Sequence, residues 1–356
     1  MCRKLYLAFL VVSACAGLAV ATAAAAADNV SFAGKSIIAT VGFEAGNRVD
    51  LYARTLLRRM QHYLAGQPDF IVMNRPGAGG VVALNEWVAK ADSSALNIAI
   101  GGESQIDQDA LSRTHAKYHP EKFRYVGGLV APSQGLFINK DVVANLYNKS
   151  APPVTMGLVG STLRTGYYQV LWGVAFLGWN VKWVPAYQST GEVRNALERG
   201  EVDMSAFGTS ADIRSLLATG KIGVVSQSGA IIDGKMTSRS SLGNAPVISD
   251  LVKDKIKDPL ALKAFDYSEK VIQVGMWTAL PSATPEGLVA EYVKAFDKTV
   301  KDPQYQGEWA KIDPDSPVAH KADLERLVNE VAAVSPDTLH FVQAELRRQG
   351  VEVSTR

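Results

Sequence analysis

The run from Phe70 to Gly80 reads Phe-Ile-Val-Met-Asn-Arg-Pro-Gly-Ala-Gly-Gly, and it leaves the backbone few paths. An apolar stretch of strand length stops at Asn74, Pro76 has no N–H with which to extend a sheet, and the glycines at positions 77, 79 and 80 permit a sharp turn. Val81, Leu84, Val88 and Ala91 then recur at helical spacing, so the unit is strand, glycine turn, helix. N–H groups exposed at such a helix start can hold an anion, and the same turn can pack a helix closely on a sheet. Packing is the commoner use, and the Gly-Lys-Ser/Thr of a nucleotide-binding loop is absent here.

The same construction recurs along the chain. Ile37 to Gly42 predicts a buried strand, followed by a loop over Phe43 to Val49. The next helix buries Ala53, Leu56, Leu57, Met60 and Leu64, with Asn47 as its cap and Asp50 placed to return a bond as in a capping box. Leu96 to Ile100 predicts a strand opening onto Gly101-Gly102-Glu103-Ser104-Gln105, and short strands follow near Tyr125 to Val130 and Gly135 to Ile138. After a polar, proline-bearing stretch from Asp141 to Pro153 the pattern restarts. Strands at Val154–Val159, Val181–Pro185 and Val202–Phe207 alternate with helices at Gly166–Leu177 and Gly191–Arg199. Gly229 to Asn244 reads as an exposed connection, and Val271 to Leu280 as a long strand crossing back between the two units. Thr284-Pro285-Glu286 and Ser335-Pro336-Asp337 each read as a capped helix start. A chain of 356 residues, 47% hydrophobic and 20% charged, has the length for two such α/β domains.

Residues 1–27 have the construction of an export signal: Arg3 and Lys4, an apolar run from Leu5 to Val20, then small residues before Asp28. Cleavage is expected near Ala27. Two alternatives stand beside it: lipidation at Cys15, since Val12-Ser13-Ala14-Cys15 resembles a lipoprotein box, and a retained anchor. Both cysteines lie inside this segment, so the mature chain is expected to have neither disulfide nor thiolate chemistry. The formal charge is +2 with no basic stripe, which argues against nucleic-acid binding.

No Gly-x-Ser-x-Gly elbow, His-Glu-x-x-His or paired-carboxylate motif is present, and His115 and His119 lack companion ligands for a metal. Glu103 and Asp203 are available as catalytic carboxylates, although a polar loop residue and a solvated turn acid are the plainer readings. No cofactor and no catalysis are expected. What recurs at the strand ends is a set of aromatics and uncharged donors: Phe43, Asn47, Ser104, Ser161, Thr162, Tyr187, Gln188, Ser189 and Thr209. Such a set recognises a small molecule without transforming it. Arg48 and Arg164 sit in equivalent loops and are candidates for a forked pair with a ligand carboxylate, with a surface role as the default for each.

Asn74-Arg75-Pro76-Gly77-Ala78-Gly79-Gly80, the loop ending at Asp50 with Ala53-Arg54, and Val184-Pro185 leading through Tyr187 to Leu197-Glu198-Arg199-Gly200-Glu201-Val202-Asp203 resemble the Bug-type substrate-binding proteins. These are the periplasmic receptors of tripartite tricarboxylate transporters. Leu280-Pro281-Ser282-Ala283-Thr284-Pro285 is similar to that family's late helix start, and the likeness runs over nearly all of the mature chain. The resemblance implies an α/β, two-domain Venus flytrap with a ligand cleft between the domains. It implies one domain from residues 28–137 with 272–356 and a second from 138–271. It places Phe43, Gly46, Asn47, Asp50, Glu103 and Ser104 on one side of the cleft. Gly160, Ser161, Thr162, Tyr187, Gln188, Ser189 and Thr209 fall on the other, with Asn74 to Gly80 beside it, and Arg164 joins this side as a candidate from its loop position alone.

The function implied is capture of a small organic acid (a di- or tricarboxylate, an aromatic acid or an amino acid) by a periplasmic monomer that delivers it to a membrane permease. The alternatives are a small-molecule hydrolase using the cleft and a sensory protein without a transport role. The chain departs from the family pattern at Glu44-Ala45-Gly46-Asn47-Arg48-Val49-Asp50, at Asp92-Ser93-Ser94-Ala95 and at Ala186 before Tyr187. Glu44 is the departure that bears on the ligand, because a carboxylate pointing into the cleft repels an anion.

Overall fold

Ile37, Ala39 and Val41 point inward from Ser36–Val41 (β1) while their neighbours are exposed or half-exposed, the period-2 pattern of a strand with one face on a core. The computed structural model describes residues 31–130, 134–159, 166–208, 210–232 and 235–351. The expected export signal and Cys15 lie outside these. Twelve further strands are present among the described residues: Asp69–Asn74 (β2), Asn97–Gly102 (β3), Arg124–Val130 (β4), Gly135–Asn139 (β5), Val154–Val159 (β6), Val181–Tyr187 (β7), Met204–Phe207 (β8), Ile222–Gln227 (β9), Ala230–Ile232 (β10), Lys235–Thr237 (β11), Val274–Leu280 (β12) and Val318–His320 (β13).

The strands make two main sheets. One has the order β13-β4-β12-β3-β1-β2 and the other β7-β6-β8-β5-β9, while β10 and β11 form a small hairpin. Each main sheet holds three parallel strands, β2-β1-β3 and β7-β6-β8, next to one antiparallel strand, β12 or β5, with β4 and β13 beyond it in the first sheet and β9 in the second. The two lobes thus repeat one strand plan. The expected two-domain α/β architecture is borne out.

Three local expectations change. Val271 and Ile272 belong to a helix, Pro259–Gln273, started by the Asp258 cap and Pro259, and the strand begins only at Val274. The stretch from Gly229 to Asn244 is not simply exposed: it contains the hairpin, Arg239 is 4% exposed, and Leu242 is buried in the second lobe's core. At the helix Glu286–Thr299 the cap position is Pro285, and the buried Thr284 hydroxyl caps nothing. The other late start behaves as expected, with Ser335 capping Pro336–Arg348 through the Thr338 N–H.

Apolar packing is continuous between the lobes, because Trp172 and Phe265 share one cluster with Trp87 and Trp277. Polar bonds join the lobes as well. Asp107 accepts from the hydroxyls of Tyr168, at 2.9 Å, and Tyr267. Asp315 accepts from the Ser240 hydroxyl and the Ser241 N–H, each at 3.0 Å. Among the described residues, no helix is long and apolar enough to cross a membrane.

Candidate functional site

A cavity of about 430 Å³ lies where the carboxyl ends of parallel strands from both sheets meet. From the first lobe it is lined by Gly42, Phe43, Glu44 and Asn47 after β1, by Pro76 to Gly80 after β2, and by Ser104 after β3. From the second come Val159 at the end of β6, Tyr187 at the end of β7, and Gln188, Ser189 and Thr190 after it. In an open α/β sheet the ligand position is the crevice outside these strand ends.

The loop after β1 is fastened from behind. Asn47 caps the helix Arg48–Met60 by accepting the Val49 N–H at 2.9 Å. Asp50 is 1% exposed and accepts from the N–H of Gly46 at 2.8 Å, one residue before the cap, as well as from Arg54 and Asn74. Asn74 also donates to the Phe43 carbonyl at 2.9 Å. Burial pushes the Asp50 carboxyl up, but the bonds from Arg54, Gly46 and Asn74 more than offset this and hold it below the usual carboxylate range. The last residue of β2 therefore fixes the shape of the loop after β1.

The glycine turn packs closely against the end of β1, one of the two uses its sequence permits. Gly77, Ala78, Gly79 and Gly80 all have positive φ, and Ala78 at +48° is the one non-glycine among them. A Cβ on Gly42 would lie 2.6 Å from the Gly80 Cα, so the turn packs backbone to backbone against the end of β1. The Gly79 and Gly80 carbonyls accept from the Ser104 hydroxyl at 2.9 Å and the Gln105 amide at 3.1 Å. Ala78 and Gly79 line the cavity, and their N–H groups have no acceptor among the described residues. The helix Val81–Ala89 that follows has no side-chain cap.

Across the cavity the helix Thr190–Arg199 begins. Ser189 accepts from the Glu192 N–H at 3.2 Å and the Glu192 carboxylate accepts from the Gln188 N–H at 2.7 Å, a close variant of the capping box. The Thr190 and Gly191 N–H groups have no acceptor among the described residues. Two helix starts, one from each lobe, thus bring unpaired donors to one cavity.

Of the residues expected at the site, the cavity brings together Phe43, Asn47, Ser104, Tyr187, Gln188 and Ser189. Gly46, Asp50 and Glu103 do not line it; the first two are tied to each other, and Glu103 starts the turn Glu103–Gln105. Arg48 does not line it either, because its guanidinium is paired with Asp313 and donates to the Ser316 hydroxyl at 3.0 Å. Gly160, Ser161, Thr162, Arg164 and Thr209 lie outside the described residues. Glu44 faces the cavity, so the charge flagged in the sequence is placed where it matters. Gly42, Val159, Thr190 and Pro76 to Gly80 line the cavity without having been singled out as contacts. Ser189-Thr190-Gly191-Glu192 carries the Ser-x-x-Glu capping signal that marks the helix start at Thr190.

No protein-family model matches the chain, and no functionally curated protein matches it by sequence. Solved structures do match it in fold. The periplasmic binding protein BugD superposes with a TM-score of 0.65 at 20% identity, over 89% of this chain and 98% of its own. MatC from Rhodopseudomonas palustris, solved with bound malate, gives 0.62 at 20% identity over 85% of this chain and 99% of its own. A second R. palustris protein, solved with adipate, gives 0.66 at 17% identity over 89% and 98%. The chain has the fold of these two-domain binding proteins, and the resemblance carried by the Asn-Arg-Pro-Gly-Ala-Gly-Gly run is borne out at that level.

Proposed function

We propose that the protein is an exported solute receptor that captures a small organic acid between its two lobes, without catalysis, and delivers it to a membrane permease. The observation that carries this reading is the cavity of about 430 Å³ at strand ends of both lobes, with unpaired backbone donors entering from each side. That size suits a small metabolite, and N–H groups at helix starts suit a carboxylate. Malate and adipate in structures of the same fold support an anionic group on the ligand. Among the described lining residues there is no histidine, and Ser104 gives its hydroxyl hydrogen to the Gly79 carbonyl, so capture without chemistry is the simpler reading.

The segment before β5 and the segment after the helix Pro259–Gln273 are taken to move as one body against the rest. β5, Gly135–Asn139, pairs with β8 and β9, so residues 135–137 go with the second body although the expected boundary left them in the first. Export through residues 1–27 to the periplasm belongs to the same proposal.

The test is thermal unfolding and calorimetry of the mature chain against di- and tricarboxylates, aromatic acids and amino acids, with mass spectrometry of what is recovered. A true ligand at a hundred times its Kd stabilises by about 2.7 kcal/mol and returns unchanged. Recovery of a product assigns the cleft to an enzyme. No stabilisation by any of these classes rejects the receptor reading.

A further inference from the structure

Glu44 sits in the loop after β1 and lines the cavity; its carbonyl accepts the Asn47 N–H at 3.1 Å, while its carboxylate makes no ion pair or hydrogen bond among the described residues. It is also the one charged side chain in the described lining. Closing two lobes over a ligand strips water from this carboxylate, and a carboxylate that loses water needs a positive partner. Among the described residues of the opposite wall, Val159 and Tyr187 to Thr190, there are an aromatic ring, an amide and two hydroxyls and no cation.

We infer that the partner comes with the ligand: resting on the receptor reading above, the ligand is an amino acid or similar zwitterion whose ammonium group is held by Glu44. Phe43 and Tyr187 line the same cavity, and aromatic faces beside a carboxylate are the surroundings that an ammonium prefers. The unpaired N–H groups of Ala78, Gly79 and Thr190, which line the cavity, then receive the carboxylate end. A ligand with a second acid group in place of the ammonium would bring that group near Glu44, and a mono-acid would leave Glu44 without a partner. At contact distance in a partly dried cleft such a like-charge pair costs on the order of a hundredfold in affinity. Glu44 is thus the residue that selects amino acids over their des-amino analogues.

The experiment uses calorimetry on the mature chain with matched pairs: aspartate and succinate, glutamate and glutarate, γ-aminobutyrate and butyrate, phenylalanine and phenylpropionate. The expected result is that at least one amino member binds and its des-amino analogue binds on the order of a hundredfold more weakly. Glu44→Gln narrows that gap by about tenfold or more. Since Glu44 is exposed and its carboxylate bonds to nothing else described, the melting temperature of the empty variant stays where it was. Des-amino members binding as tightly as their partners, or Glu44→Gln leaving the gap unchanged, overturns the inference while the receptor reading stands. If no member of any pair binds, the inference falls, and the receptor reading is decided by the wider screen that includes tricarboxylates.

Discussion

The carboxylate of Asp315, in the loop before β13, accepts the Ser240 hydroxyl from the opposite lobe at 3.0 Å. The Ser241 N–H reaches the other oxygen of the same carboxylate. Burial pushes Asp315 up, but the Ser241 and Ser240 bonds and the nearby Arg239 charge more than offset it, so its carboxyl titrates below the usual range. A contact made between lobes acts on their relative position more than on folding. Asp315→Ala is expected to weaken ligand binding about three- to tenfold, at roughly 1 kcal/mol for the lost bonds, with little change in the unfolding midpoint of the empty protein. Small-angle scattering of the empty variant should show a larger radius of gyration. Because the native carboxyl titrates low, the latch holds at neutral and mildly acidic pH and is lost only as pH falls through that lowered value. An unchanged radius together with unchanged affinity would remove the latch from the account.

Asp50 and Asn74 make the corresponding tie within one lobe. Asp50→Ala leaves the Gly46 N–H, the Asn74 amide and the Arg54 guanidinium without their shared acceptor, and should cost about 2–3 kcal/mol in urea unfolding. Affinity should fall as well, since the Phe43 to Asn47 loop loses its anchor. The sign with pH follows from a depressed carboxyl: the stabilisation is complete above the unfolded-state value and disappears as pH falls through the lower folded-state value. Asp50→Ala and the native protein should therefore converge in stability at strongly acidic pH, and a constant difference across the range would contradict the assignment.

Two glycines with similar backbones separate conformational strain from crowding. Gly80 has φ +92°, and a Cβ there would lie 2.7 Å from the Gln105 amide nitrogen, which is itself held by the Gly80 carbonyl. Gly46 has φ +81°, with open space where a Cβ would go. Gly80→Ala should cost about 2–4 kcal/mol and disturb the cavity wall, while Gly46→Ala should cost only about 1 kcal/mol. Equal losses in thermal unfolding would mean that the turn does not rest on Gln105.

Local signals carried far in this chain, and partners distant in sequence did not. The glycine turn, the Asn47 cap and the strand–helix alternation are decided by residues a few positions apart, and each could be read directly. Arg48 could not, because the acid that takes it, Asp313, is 265 positions away. The helix Pro259–Gln273 ends in Val271-Ile272, apolar and β-branched like the strand that follows, so the boundary was hidden although Asp258-Pro259 announced its start. From Gly229 to Asn244 the Gly and Ser content correctly signalled turns, but composition does not report burial. There Gln227 holds the Arg239 main chain at 2.5 Å, and Leu242 enters the second core. At the site, alternation and turn chemistry located the strand ends, yet which loop residues face inward depends on the second sheet, whose position no local pattern contains.

Glu269 offers a test that is independent of any ligand. It lies on the helix Pro259–Gln273, is 8% exposed, and neither carboxylate oxygen has a partner among the described residues. Burial pushes its carboxyl up to about 8, with Asp266 adding to the shift and Lys253 opposing it. A carboxyl raised in the folded state keeps its proton there after the unfolded chain has released it. Stability is therefore greatest below the unfolded-state value and declines as pH rises from there toward about 8. Glu269→Gln removes this titration and keeps the shape. It is expected to stabilise the protein by about 2 kcal/mol or more at pH about 8, with little effect at pH about 4, as measured by urea unfolding at both. A gain of the same size at both values would assign the effect to packing, and a loss at the higher pH would mean that the carboxylate is ionised and paired in the folded protein.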